Sequence, residues 1–144
     1  MATELLKESF PVAARNFDKA GEVSSEIKMI LKDLGINSAI IRRAVVVSFE
    51  AEMNVVMYTT RGGMITFVLT DEEITLEIID DGPGIPDIDM AMTEGFSTAS
   101  EEMREMGFGF GMGLPNIKKN CDKFVIESVV GKGTRVFALI RHVG

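Results

Sequence analysis

Residues 80–85 read DDGPGI and residues 107–114 read GFGFGMGL, and these two glycine-rich stretches decide how the chain is interpreted. The first follows residues 74–79, an alternating run that ends apolar and predicts a strand. The second opens onto LPNIKK, residues 114–119, which predicts the start of a helix. Glycines before a helix N-terminus let backbone N–H groups converge on an anion. An acidic strand end followed by such a loop indicates a ligand with a base at one end and phosphates at the other.

The size and charge of the chain limit the classes of function. Its 144 residues, 46% of them hydrophobic, fit one domain spanning residues 1–144. The polar N-terminus and the lack of any run near the roughly 20 apolar residues of a membrane span predict a soluble, cytoplasmic protein. The formal charge of −7 argues against a nucleic-acid surface and favours a protein partner. The single cysteine, Cys121, excludes an internal disulfide and a cysteine-based zinc site.

Hydrophobic periodicity predicts the order of helices and strands. The predicted elements are an edge strand at residues 8–16 containing Pro11, helices at 22–34 and 38 to about 60, a hairpin of strands 64–70 and 74–79, a helix at 113–120, and a second hairpin of strands 124–130 and 134–141. The long helix is rich in valine, a poor helix former, but it keeps one apolar face. The fold class that follows is α+β: a two-layer α/β sandwich with a mostly antiparallel, mixed sheet and helices on one face.

Residues 86–110 do not fit this regular pattern. They contain several methionines and acids and the sequence GFSTAS at 95–100. A segment of this length between two ligand-like motifs is typical of a mobile lid over a site. Alternatively, the methionines are flexible apolar filler.

Glu50 and Asn54 lie four residues apart on the predicted long helix and therefore share a face. Next to a triphosphate, the Asn54 oxygen can complete the shell of Mg²⁺, which takes few ligands from proteins. The Glu50 carboxylate one turn earlier can accept a proton from a hydroxyl that attacks the terminal phosphate. An ordinary solvated helix face is the alternative. Glu52 points elsewhere on the helix and receives no role.

Asp80 and Asp81 place two carboxylates at a strand end. Paired acids can serve acid–base catalysis, but the adjacent Gly82 and Gly84 indicate backbone brought close to a flat ligand. A carboxylate there can accept a hydrogen bond from the amine of adenine, and guanine presents a carbonyl at that position.

Four motifs together carry a resemblance to a known family. They are Glu50-x-x-x-Asn54, Asp80-x-Gly82-x-Gly84, Gly109-x-Gly111-x-Gly113 and Gly131-x-Gly133-Thr134. In this order, from about residue 38 to the end, they resemble the ATP-binding boxes of the GHKL superfamily, which has the Bergerat ATP-binding fold. The short chain and the sequence GLPNIKK at 113–119 look most like the small serine/threonine kinases of bacterial partner-switching systems, which include anti-sigma factors.

The resemblance implies a role for each matched residue. It implies Glu50 as the general base, Asn54 as the Mg²⁺ ligand and Asp80 as the contact to the adenine amine, with Thr134 near the same pocket. The remaining ATP-binding residues that it implies are Gly82, Gly84, Ile85, Ser97, Thr98, Gly109, Gly111, Gly113 and Leu114. Arg104 is a weaker candidate for a charge clamp on the terminal phosphate, since its spacing from the glycines differs from that in the anti-sigma kinases.

Two departures from the family pattern affect assignment to a subfamily. Tyr58 stands where many relatives carry a histidine four residues after the asparagine, and the stretch GFGF at 107–110 is nearer the switch-kinase type than the anti-sigma type. The resemblance implies ATP and Mg²⁺ as cofactors and, among the anti-sigma relatives, a possible homodimer.

Two functions of different classes remain open at this point. The first is an ATP-dependent serine/threonine protein kinase that phosphorylates a small antagonist protein of the STAS type. The second is a nucleotide-dependent binding module, an anti-sigma factor or scaffold with little or no phosphoryl transfer. The intact Glu50 and Asn54 favour the kinase. The catalytic half of a histidine kinase is disfavoured, because too few residues precede the long helix for a phosphoacceptor hairpin and the only histidine is His142.

Overall fold

The computed structural model describes residues 3–93 and 113–142, which form a five-stranded sheet and its covering helices. The strands are β1 (Glu4–Val12), β2 (Gly63–Thr70), β3 (Glu73–Asp80), β4 (Lys123–Val129) and β5 (Gly133–Arg141). Their order in the sheet is β1-β2-β3-β5-β4, and all four pairings are antiparallel. The predicted α+β class is confirmed, with both hairpins in place, and the sheet of the described residues is wholly antiparallel where a mixed one was expected.

The α-helices in the described residues are α1 (Glu22–Asp33), α2 (Ser38–Tyr58), α3 (Ile88–Ala91) and α4 (Gly113–Lys119). α2 begins where the Asn37 side chain accepts a hydrogen bond from the Ala39 amide at 2.8 Å. Its valines do not prevent a helix of 21 residues, because one face is almost completely buried. Tertiary packing therefore outweighs the low helix propensity. The buried residues of the predicted face are Ala44, Val47, Ala51 and Val55.

The helices lie on one face of the sheet, as predicted. α2 contacts β1, β3 and β5, and both α1 and α4 pack against α2. Along the central strands every second side chain is buried: Ile65, Phe67 and Leu69 on β2, Ile74, Leu76 and Ile78 on β3, and Val136, Ala138 and Ile140 on β5. This period of two is that of a sheet with a single covered face.

The first strand lies four residues earlier than predicted, at Glu4–Val12 instead of 8–16. It pairs with β2 from Val12 opposite Gly63 to Glu4 opposite Thr70, with one irregularity between Glu4 and Leu6, so the end of β2 at Thr70 limits where β1 begins. The chain turns away at Arg15, whose φ is 62° and whose amide donates to the Val56 carbonyl at 2.8 Å. The edge position expected from Pro11 is confirmed, because β1 is the first strand of the sheet.

The predicted lid lies largely outside the described residues. Its first part, residues 86–93, contains α3, where the Asp87 side chain accepts a hydrogen bond from the Met90 amide at 3.0 Å. The lid stays a prediction. In the described ranges, no helix has both the length and the apolar character that a membrane span requires.

Candidate nucleotide-binding site

The start of α4 lies directly against two side chains of α2. A Cβ atom added at Gly113 would be 2.9 Å from Asn54 Oδ1 and 3.3 Å from Glu50 Oε2. A side chain at this position would therefore require the ends of the Asn54 and Glu50 side chains to shift. The structure thus brings the Glu50–Asn54 pair together with Gly113, which belongs to a different motif of the sequence.

Glu50 is half-buried, and its burial raises the pKa of its carboxyl group above the ordinary value of 4.5. A side-chain hydrogen bond with Asn116 acts in the opposite direction and lowers that pKa. A carboxylate with a raised pKa is a better proton acceptor, as a general base requires. Asn116 was missed from the sequence. Its position three residues after Gly113, on the same side of α4, was the available signal.

The oxygen atoms of this cluster suit a hard divalent cation. Asn54 is half-buried, and its carboxamide oxygen and a carboxylate oxygen of Glu50 both lie near Gly113. Mg²⁺ prefers oxygen ligands and takes one or two from a protein while substrate phosphates and water supply the others. The residues present therefore fit a magnesium ion bound together with phosphate.

Asp80 forms a second cluster at the end of β3. Its Oδ1 accepts hydrogen bonds from the Gly82 amide at 2.8 Å and the Thr134 amide at 3.3 Å. Burial raises the pKa of the Asp80 carboxyl group, and the two amide donors oppose this effect. The Asp80 carboxylate has further lone pairs, which can accept a hydrogen bond from a ligand. Asp81 is exposed, so the two neighbouring acids do not share one environment.

The loop after Asp80 is held against the turn between β4 and β5. Gly84 has a φ of +79°, and a Cβ there would be 2.5 Å from the Val129 carbonyl oxygen, so no other residue fits. The Gly131 amide donates to the Pro83 carbonyl at 2.8 Å, and the Ile85 amide donates to Ser128 Oγ at 2.7 Å. These contacts hold the loop in place next to Asp80. Sequence reasoning missed Ser128.

Helix α2 connects the two clusters. Thr59, the residue that follows the helix, is buried, and a Cβ added at Gly82 would be 3.1 Å from Thr59 Cγ2. Asn54 lies five residues earlier, about 7 Å along the helix axis. One helix therefore supports both a cluster suited to a metal and phosphate and a cluster suited to a base.

The other predicted site residues divide into two groups. Leu114 is described and is partly buried against the core, as is Tyr58, the residue that departs from the family pattern. Ser97, Thr98, Arg104, Gly109 and Gly111 lie outside the described residues, so their predicted roles stay predictions.

Glu52, which received no role from the sequence, has a structural one. Its side chain is buried, with 2% of its surface exposed, and accepts hydrogen bonds from three backbone amides at the N-terminus of α1. The donors are Gly21 at 3.0 Å, Val23 at 3.2 Å and Ser24 at 3.2 Å. A carboxylate at this place satisfies free N–H groups and interacts favourably with the helix dipole. Glu52, which lies between Glu50 and Asn54 on α2, therefore links α2 to the N-terminus of α1 through these hydrogen bonds.

Comparison with known proteins identifies the family. The family model of histidine kinase-, DNA gyrase B- and HSP90-like ATPases matches residues 40–143, which contain both clusters. The chain belongs to this ATPase family. The assignment made from the four boxes is thereby confirmed.

Individual relatives within this ATPase family include regulatory proteins of bacteria. The chain is 35% identical to the serine/threonine-protein kinase RsbT of Bacillus subtilis (strain 168) over 113 residues, which are 76% of this chain and 79% of the relative. It is 38% identical to an anti-sigma F factor of Caldanaerobacter subterraneus subsp. tengcongensis over 100 residues, which are 66% of this chain and 65% of that relative. An anti-sigma F factor of Thermoanaerobacter sp. (strain X514) is 36% identical over 99 residues. The predicted group of anti-sigma factors and switch kinases is confirmed.

Proposed function

We propose that this protein is an ATP-dependent serine/threonine kinase that transfers the terminal phosphate of ATP to a STAS-type antagonist protein. The observation that supports the proposal most directly is the convergence of Glu50 and Asn54 on the backbone of Gly113. A proton acceptor and a metal ligand at the start of a glycine-preceded helix are the groups that phosphoryl transfer to a hydroxyl needs. The name of the relative RsbT, a serine/threonine-protein kinase, agrees with this activity.

Each residue has a defined task in this proposal. Glu50 accepts the proton of the acceptor hydroxyl as that oxygen attacks, and its half-buried position keeps its basicity high. Asn54 holds Mg²⁺, which when bound neutralises charge on the phosphate oxygens. Asp80 accepts a hydrogen bond from the adenine amine, and the loop of Gly82, Gly84 and Ile85 forms the floor beneath the base. In the same proposal Thr134 contacts the base, while Gly109, Gly111, Gly113 and Leu114 surround the phosphates beneath a lid with Ser97 and Thr98.

A second candidate is a nucleotide-dependent binding protein that sequesters a partner with little or no phosphoryl transfer. The anti-sigma F factors among the relatives favour it. The two candidates share the same nucleotide site and differ in whether Glu50 is used. The cytoplasmic location and the homodimer also stay predictions, and sedimentation analysis of the purified protein tests the dimer.

The experiment that separates the candidates measures transfer of labelled phosphate from ATP to a panel of purified STAS proteins in the presence of Mg²⁺. We expect the wild type to phosphorylate at least one of them and Glu50→Gln to lose transfer while retaining ATP binding. Glu26→Gln, which removes an exposed carboxylate of α1, is the matched control and should keep full activity. Nucleotide binding without transfer to any STAS protein would establish the binding module instead.

A further inference from the structure

Ser128 lies at the centre of a hydrogen-bond cluster beneath the base end of the site. Its Oγ is 2.7 Å from the Ile85 amide nitrogen, 3.2 Å from the Gly133 carbonyl oxygen and 2.8 Å from Thr134 Oγ1. Ser128 and Thr134 are register partners on β4 and β5, and Thr134 is in turn the partner of Asp80 on β3. The three side chains therefore form a row across the sheet that ends at the carboxylate.

The three contacts of Ser128 can all be hydrogen bonds at the same time in only one arrangement of the hydroxyl hydrogens. A serine hydroxyl has one hydrogen and two lone pairs. The Ile85 amide can only donate, and the Gly133 carbonyl can only accept, so Ser128 accepts from the first and donates to the second. The contact with Thr134 is then a hydrogen bond only when the Thr134 hydroxyl donates to Ser128. The reverse polarity would leave the Ser128–Gly133 contact without a hydrogen.

This polarity defines what Thr134 can offer to a ligand. With its hydrogen directed at Ser128, the Thr134 hydroxyl presents lone pairs alone. Its backbone amide is already bonded to Asp80 Oδ1 at 3.3 Å. The base end of the site is then lined by two side chains that accept hydrogen bonds, the Asp80 carboxylate and the Thr134 hydroxyl oxygen.

We propose that Ser128 is a specificity-determining residue. It accepts a hydrogen bond from the Thr134 hydroxyl, so this end of the site offers a ligand only hydrogen-bond acceptors. Such a pocket favours a base with an amine at the position that faces Asp80 and Thr134, either directly or through a bridging water that donates to them. It disfavours a base with a carbonyl at that position. A carbonyl there would face two acceptors and remain without a donor, which is costly for a buried polar group. The inference rests on the proposed ATP-binding function. It adds a residue that discriminates against 6-oxopurines, the bases that carry a carbonyl in place of the adenine amine.

The test compares the dissociation constants of ATP and ITP by isothermal titration calorimetry. Hypoxanthine carries a carbonyl where adenine carries its amine, and it lacks the second amine of guanine, so the pair isolates one position of the base. In Ser128→Ala the Thr134 hydroxyl is free to donate to that carbonyl. We expect the preference for ATP over ITP to fall by about 3- to 10-fold, the size of one net hydrogen bond.

Two further variants separate specificity from simple support of the loop. Ser128→Thr retains the hydroxyl and should keep the wild-type preference. Ser128→Ala combined with Thr134→Val has no hydroxyl able to donate and should recover the preference for ATP. If loss of the Ile85 contact prevents Ser128→Ala from folding, Ser128→Cys, whose sulfur is a weak acceptor, should show the same change.

The outcomes that overturn the inference are definite. Equal weakening of ATP and ITP in Ser128→Ala would make Ser128 a support of the loop alone, and so would a lowered preference that persists in the double variant. Failure of the wild type to bind ATP at all would instead contradict the proposed function, so the two failures are distinguishable.

Discussion

Asp80 and Thr134 lie opposite each other on β3 and β5, and the Thr134 amide donates a hydrogen bond to the Asp80 carboxylate at 3.3 Å. The Gly82 amide donates to the same oxygen at 2.8 Å. An asparagine in place of Asp80 offers a carboxamide oxygen to both donors. Replacement by asparagine therefore keeps the local structure and changes only what the side chain presents to a ligand.

Asp80→Asn should weaken ATP binding by about 1–3 kcal/mol, because the adenine amine loses a charged acceptor within a partly buried site. Calorimetric titration with ATP and Mg²⁺ measures the loss. The melting temperature should stay the same or rise, since burial disfavours the Asp80 charge in the folded protein. Asp81→Asn, at the exposed neighbouring position, is the matched control. An unchanged affinity for ATP in Asp80→Asn would show that the base is bound elsewhere.

Glu50→Gln should increase the free energy of unfolding of the ligand-free protein near neutral pH. The pKa of Glu50 is raised by burial, so the folded state holds its proton more tightly than the unfolded state does. The resulting stabilisation is complete below the ordinary pKa of 4.5 and is lost as pH rises through the folded value. The uncharged glutamine avoids this loss, and its advantage should grow as the pH rises above the ordinary pKa of 4.5 and level off once the pH has passed the raised pKa of Glu50.

Urea unfolding of the Glu50→Gln and wild-type proteins at several pH values measures this difference. Glu26→Gln, in which an exposed carboxylate is removed, should show little pH-dependent change against the wild type. A difference for Glu50→Gln that is constant from acid to neutral pH would mean that ionisation of Glu50 is not its cause. A stabilising variant that loses phosphoryl transfer would indicate a carboxylate retained for function at a cost in stability.

The elements of this fold are largely determined by local pattern, and the sequence therefore predicted them well. Helices expected at 22–34 and from 38 to about 60 are observed at Glu22–Asp33 and Ser38–Tyr58, since glycine and asparagine mark their ends. The strand at Glu4–Val12 was misplaced by four residues, because its limits follow from pairing with β2. Such pairing is a long-range property. The local pattern does not reveal it, because the exposed Glu8 interrupts the alternation of Leu6, Phe10 and Val12.

The candidate site shows the same division between local and long-range information. The glycines, Glu50, Asn54 and Asp80 could be proposed as site residues from the sequence, because their spacing is short and the chemistry requires those residue types. Ser128 could not be found in this way, since it contacts Ile85 at a separation of 43 residues. Contacts of this kind arise only when β4 and β5 bring their turn against the loop that follows β3.

Glu52→Ala should destabilise the protein by about 1–3 kcal/mol, because it leaves the amides of Gly21, Val23 and Ser24 without their acceptor. Urea unfolding measures the change. Glu22→Ala, at an exposed site in the first turn of α1, is the matched control and should cost much less. Hydrogen exchange should locate the weakening in the first turn of α1. Stability equal to that of the wild type would show that α1 does not depend on this buried carboxylate.

Gly113→Ala should reduce ATP binding and phosphoryl transfer without destabilising the fold. The added Cβ would lie 2.9 Å from Asn54 Oδ1 and 3.3 Å from Glu50 Oε2, so the ends of these side chains must move away from residue 113. Both contacts involve the ends of side chains, which can rotate at little cost to the core, and alanine suits a helix better than glycine does. A small displacement of the metal ligand and the base lowers catalysis strongly, because transfer depends on their geometry.

Calorimetry with ATP and Mg²⁺, together with thermal unfolding, checks this separation of binding from stability in Gly113→Ala. Lys118→Ala, on the exposed side of the same helix, should change neither property much. Because the atoms nearest to the added Cβ belong to Asn54 and Glu50, shortening the nearer side chain should relieve part of the clash. Gly113→Ala combined with Asn54→Ser, in which a short hydroxyl replaces the carboxamide, should therefore bind Mg²⁺-free ATP better than Gly113→Ala alone. Loss of folding in Gly113→Ala would show instead that the start of α4 is held by the backbone and not by contacts with the site.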